Sequence, residues 1–223
     1  MRHAFTAVLV LTGLIVAPWT PPAMAATVNE ELEAEYKTED AALNAAYKKL
    51  MARLSPVAKQ RLTASELAWI TFRDAQRHAD ADEYRGGTMA ATAALACKIR
   101  LTTTRTKDLQ LWLKRLDAPV FTGLNPQTRE RALSQQKGAH AQADHLLNQA
   151  YKAVLAPQDA AGRKLTTQAQ LAWLAFRDKE LAFAEAFAGS RGEVALVRQL
   201  ALTELTGSRA EDLRAIVDER ESH

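Results

Sequence analysis

Leu67-Ala68-Trp69-Ile70-Thr71-Phe72-Arg73-Asp74 returns later in the chain as Leu171-Ala172-Trp173-Leu174-Ala175-Phe176-Arg177-Asp178, an offset of 104 positions from Trp69 to Trp173. Two more blocks share this offset. Asp40, Leu43, Asn44, Tyr47 and Lys48 map to Asp144, Leu147, Asn148, Tyr151 and Lys152, and Leu101, Thr102, Arg105, Asp108 and Leu109 map to Leu205, Thr206, Arg209, Asp212 and Leu213. Three separated blocks at one offset mean a tandem duplication, and a repeat sets the fold before any local detail does. Leu62 precedes Trp69 by seven residues and Leu165 precedes Trp173 by eight, so a one-residue slip, at a loop or helix start, is expected there. The unit is roughly 85 to 95 residues, an ordinary domain size, and each copy is long enough to bury a modest core of its own. Repeat 1 covers 26–118, a linker 119–126 and repeat 2 127–223.

Residues 1–25 read as an export signal. Arg2 and His3 precede an uncharged apolar run from Ala4 to Ala17, and Ala23-Met24-Ala25 has the small-x-small form that a signal peptidase cleaves. The run is shorter than the ~20 apolar residues a membrane span requires, so no span is expected after cleavage. The formal net charge is +3. Neither half carries a basic stripe interleaved with aromatics, which excludes nucleic acid as the natural partner. Cys97 is the single cysteine, so no intrachain disulfide can form. His78, His140 and His145 do not have ligand spacing, and no metal or other cofactor is expected.

Apolar residues recur at helical spacing throughout and no stretch alternates with period two, which predicts an all-α fold of two tandem three-helix units. Leu32, Tyr36, Leu43, Tyr47, Leu50 and Leu54 mark one face of the first helix, with Asn29 as its expected N-cap. Ser55-Pro56 and Asn125-Pro126 read as N-cap and first-turn proline of later helices. Thr88 reads as the cap of the third helix, and Pro157 to Arg163 as the break before the fifth. Cys97 falls in line with Ala90, Ala93 and Leu101 on an apolar face.

The shared polar residues are candidates for a structural role. Asp40 and Asp144 fall on the apolar seam of each unit, where a lone carboxylate is costly to bury. Arg73 and Arg105, and correspondingly Arg177 and Arg209, are the expected partners. With Asn44, Asp74, Asn148 and Asp178 they form an expected polar clamp across the three helices of each unit. A catalytic use of Asp40 with Asp74 is the weaker alternative, because no histidine, cysteine or serine nucleophile accompanies them; no catalytic residue is assigned. Trp69, Trp173, Tyr47 and Tyr151 are expected core anchors. Two Gly-flanked loops, Arg85-Gly86-Gly87-Thr88 and Gly189-Ser190-Arg191-Gly192, offer Arg85 or Arg191 as candidate partner-binding residues on tight turns.

Asp40-x-x-Leu43-Asn44-x-x-Tyr47, then Leu67-x-Trp69-x-x-Phe72-Arg73-Asp74, then Cys97 and Arg105-x-x-x-Leu109 resemble the small secreted domain named after the lysozyme inhibitor LprI. The resemblance covers about 80 residues from Asp40 and returns more weakly from Asp144. It implies a non-catalytic periplasmic protein that binds or inhibits a lysozyme-type muramidase. The competing expectation is an envelope interaction or scaffold module with another protein partner. In that family a cysteine three residues after the Arg-Asp pair commonly joins the one at Cys97. Here Arg77 stands at that position, and repeat 2 has Leu181 and Ala201 in place of the two cysteines. Animal-type lysozymes are strongly basic, so this chain's overall charge supplies no long-range attraction.

Overall fold

The proline-initiated turns read from sequence start two of the six helices. In a computed structural model, which describes residues 22–118, 121–189 and 193–221, the chain forms α1 (Pro22–Arg53), α2 (Pro56–Asp82), α3 (Met89–Asp117), α4 (Pro126–Leu155), α5 (Ala160–Ala188) and α6 (Val194–Glu221). Among the described residues there is no strand. None of the described helices is long and apolar enough to cross a membrane. The expected cleavage site lies at the start of α1, while residues 1–21 of the export signal, Pro119 of the linker, and Ser190, Arg191 and Gly192 lie outside the described residues.

Ser55 accepts from the Ala58 amide and Asn125 from the Thr128 amide, each followed by proline in the first turn. Asp159 caps α5 in the same way through the Gly162 amide. Ser55 and Asp159 are themselves one repeat offset apart, so the expected register slip does not occur. Thr166, buried at 3 % exposure, takes the place of Leu62, and Leu165 lies beside it. A shorter side chain fills the inner position, and apolar identity misplaced the alignment. Two other boundaries differ from expectation, and one expected cap is in place without its hydrogen bond. Asn29 is inside α1 rather than at its cap, because the alanine-rich stretch before it contains no breaker; its Oδ1 accepts from Thr92 Oγ1 at 2.8 Å. Thr88 occupies the N-cap position of α3 with helical backbone angles, so its hydroxyl makes no cap bond. Arg163 belongs to α5, since Asp159 already begins that helix.

α2 and α5 run antiparallel through the centre of the molecule. Phe72 and Phe176 meet with parallel rings (centroids 6.3 Å apart), while Ser65 reaches Glu180 near one end of the pair. Asp82 approaches the first turn of α5 at Gly162 near the other end. α3 packs on α1 and α2, and α6 packs on α4 and α5. The Phe72–Phe176 contact thus marks a pseudo-twofold axis relating the repeats. The separate cores expected for the two units are merged. Leu50, Leu62, Leu109 and Trp112 of repeat 1 join Phe183, Phe187 and Leu213 of repeat 2 in one continuous cluster. Trp112 of α3 packs edge-on against Phe183 of α5 (5.2 Å) and beside Phe187 (4.7 Å). Leu181 and Ala201, which stand where the resemblance implies a cysteine pair, belong to the same apolar cluster. Cys97 is a buried free thiol, with its pKa pushed up by burial and by the nearby Asp80.

Candidate functional site

The polar centre of the molecule lies on the pseudo-twofold axis. Arg105 is fully buried and donates to Glu66 of its own repeat (2.6 Å) and to Glu180 of the other (2.9 Å). Glu180 also accepts from the Ser65 hydroxyl and from Trp112 Nε1 at 2.8 Å. Burial works against its charge, but Arg105 and these donors outweigh it and hold the carboxyl below its usual range. The repeat-related arginine, Arg209, makes the same pattern with amides. It donates to Gln170, the counterpart of Glu66, at 3.1 Å and to Gln76, the counterpart of Glu180, at 2.8 Å. With no carboxylate in these two places, burial pushes the Arg209 guanidinium down to about 9, and Asp212 supplies its charge partner at 3.0 Å. Each guanidinium also covers the phenylalanine of the opposite repeat, Arg105 over Phe176 (5.1 Å) and Arg209 over Phe72 (5.0 Å).

This arrangement corrects the clamp expected from sequence. Asp40 binds neither Arg73 nor Arg105. Its carboxylate accepts from Asn44 (2.9 Å) and Tyr36 (3.4 Å), and Tyr36 in turn accepts from Arg73 at 3.3 Å. Arg73 pairs with its chain neighbour Asp74, as Arg177 does with Asp178. Asp144 is exposed and, among the described residues, its side chain bonds only Asn148. The reason is positional: α1 lies on the outer side of α3, so Asp40 stays within reach of water, and Arg105 points the other way into the α2–α5 contact. Tyr36 has His140 as its counterpart, so repeat 2 lacks the relay. Trp69 and Trp173 are buried at 3 % exposure each. Tyr47 and Tyr151 pack on the core edge and meet Thr63 (3.2 Å) and Thr167 (3.3 Å) through their hydroxyls.

The Gly86-Gly87 turn does not leave its arginine free. Arg85 donates to Asp82 (2.8 Å) and across the repeats to Asp159 (3.0 Å). The guanidinium bond and the Gly162 amide hold Asp159 down to about 2. Gly86 has φ +81° and Gly87 receives no steric neighbour but the Tyr84 carbonyl, so the glycines serve the turn itself.

A cleft of about 360 Å³ opens between α3 and α6, with Trp112 and Glu180 at its base. Asp108, Glu204 and Glu211 line it, and Arg115 is the one cation among the described residues of its walls. Arg115 pairs with Glu204 and lies over the Trp112 ring at 4.7 Å. Asp108 is partly buried and has no hydrogen bond or ion pair among the described residues. Burial pushes its carboxyl up to about 7; Glu180 of α5, Glu204 of α6 and Glu66 of α2 add to that rise, and Arg105 opposes it. The folded chain therefore holds a proton at Asp108 that the unfolded chain has lost between about pH 4 and 7. By linkage, this residue's contribution to stability falls as pH rises through that window. Asp108→Asn is expected to stabilise the fold by about 1–3 kcal/mol at pH 8 and by far less at pH 4. Urea titrations of both proteins at the two pH values measure this; equal gains at both pH values would contradict it.

The fold and these shared sites define a class: an all-helical tandem of two equivalent three-helix units joined through their central helices. The lysozyme inhibitor LprI family model matches residues 20–109 and again 125–213. The chain belongs to that family. No curated protein matches the sequence. A solved crystal structure described as an uncharacterized protein from Burkholderia thailandensis is similar in fold, with a TM-score of 0.57 and 20 % identity over 87 % of this chain and 88 % of that one.

Proposed function

We propose that this chain is an exported, non-catalytic protein that binds lysozyme-type muramidases and blocks them by covering their substrate cleft. The observation that carries this reading is the family match in both repeats. The form of residues 1–25 supports export to the periplasm. A muramidase works with two carboxylates flanking the scissile bond, one of them a proton donor, and a rigid body seated over that cleft excludes substrate without chemistry of its own. The fused core is suited to this, since preorganised surfaces lose little entropy on binding. Arg85 is a poor tool for entering the enzyme's carboxylate site, because reaching it breaks contacts to two aspartates.

The test is peptidoglycan clearing by a basic animal-type lysozyme and by a bacterial muramidase, with increasing amounts of the purified 26–223 protein. Saturable inhibition is expected, and Arg85→Ala is expected to inhibit equally well. A folded protein that inhibits neither enzyme would overturn the proposal and leave the scaffold reading in its place.

A further inference from the structure

The pseudo-twofold axis allows the two halves to be compared position by position, and one of the charges that differ lies where α3 faces α6. In one half, Arg100 of α3 lies between Asp80 of α2 (3.1 Å) and Asp212 of α6, with which it is paired. In the other half, the counterpart of Arg100 is Glu204 and the counterpart of Asp212 is Asp108. A carboxylate stands where a guanidinium would satisfy the aspartate. The cleft over Trp112 opens here, and Asp108 lines it with no hydrogen-bond donor among the described residues. Among the described residues, Arg115 pairs with Glu204.

We propose that the α3/α6 cleft binds an alkylguanidinium or alkylammonium group, an arginine or lysine side chain presented by a protein partner, in the position that Arg100 fills in the other half. The carboxylates of Asp108, Glu204 and Glu211 supply the acceptors, and an arginine's planar fork suits two of them at once. The Trp112–Phe183–Phe187 cluster beneath makes a dry, rigid floor, so the charge pairs form in a partly desolvated place. The identity of the partner as a muramidase rests on the function proposed above; the cation site does not. A local acidic cleft also explains how a chain of slightly positive net charge recognises a basic enzyme.

The test has two arms. In the first, Nα-acetyl-argininamide is titrated into the 15N-labelled protein, with the neutral isostere Nα-acetyl-citrullinamide as control. The Trp112 indole and the α6 amides from 201 to 211 are expected to shift saturably with the arginine probe alone. Glu204→Arg, which places a cation inside the cleft, and Asp108→Asn, which keeps the fold, are each expected to weaken the probe at least tenfold. Equal shifts from the citrulline control, or unchanged probe affinity in both folded variants, would overturn the cation site. In the second arm, a basic lysozyme is titrated against wild type and Glu204→Arg. At least tenfold weaker binding by the variant is expected; equal binding would overturn the cleft as the seat of a protein partner. A lysozyme that binds neither protein, while the arginine probe still binds wild type, counts against the muramidase reading alone.

Discussion

Glu180→Ala is expected to destabilise the whole molecule by about 3–5 kcal/mol, the cost of removing one partner of a buried charge pair. Three donors lose their acceptor at once: Arg105 Nη2, the Ser65 hydroxyl and Trp112 Nε1. All three belong to repeat 1 and Glu180 to repeat 2, so the loss falls on both. Glu180→Gln is expected to cost far less, about 1 kcal/mol, the scale of one ordinary hydrogen bond. The molecule contains its own precedent, since Gln76 accepts from Arg209 at 2.8 Å in the equivalent place. Equilibrium urea unfolding of the three proteins checks this, and a Glu180→Ala loss below about 0.5 kcal/mol, the level of a surface change, would contradict it.

Phe176→Ala is expected to cost about 3–5 kcal/mol, as large-to-small changes in a packed core do. Its ring, 4 % exposed, is stacked on Phe72 and covered by the Arg105 guanidinium. Truncation opens a gap at the axis and removes the surface against which the buried arginine rests. Phe72→Ala is expected to behave alike, because Arg209 lies over that ring. The double variant is expected to lose less than the sum, by about 0.5–1.5 kcal/mol, since each single change already removes the ring pair. Each variant is expected to unfold in one transition seen equally by far-UV circular dichroism and by tryptophan fluorescence. Additive losses, or one repeat unfolding before the other, would contradict a shared core.

The repeated octapeptide made the fold legible. Trp69, Phe72 and their copies carry the helical face that becomes the axis, and Ser55-Pro56 and Asn125-Pro126 start their helices where their chemistry says. Glu180 is not legible in the repeat, for a physical reason. It lies four residues after Phe176, on the same face, as Gln76 does after Phe72, so a polar residue on an apolar stripe was there to be seen. The two differ in identity, so neither belongs to the residues that the repeats share. Its partner sits in the other repeat, which spacing along one chain cannot show. Asp40 failed in the opposite direction: heptad position suggested burial, whereas α1 lies on the flank and leaves the carboxylate to Asn44 and Tyr36. Asp108 is one of the shared residues, but its raised pKa comes from burial and from Glu180, Glu204 and Glu66 on three other helices, an environment that spacing along one helix cannot show.

The most direct test of the functional account is a calorimetric titration of the purified 26–223 protein into a lysozyme-type muramidase at low ionic strength. One site per protein, with affinity that falls as salt is added, is the expected result for a complex anchored by a charged cleft. The absence of binding to every muramidase tested, by a protein shown to be helical and folded, would contradict it.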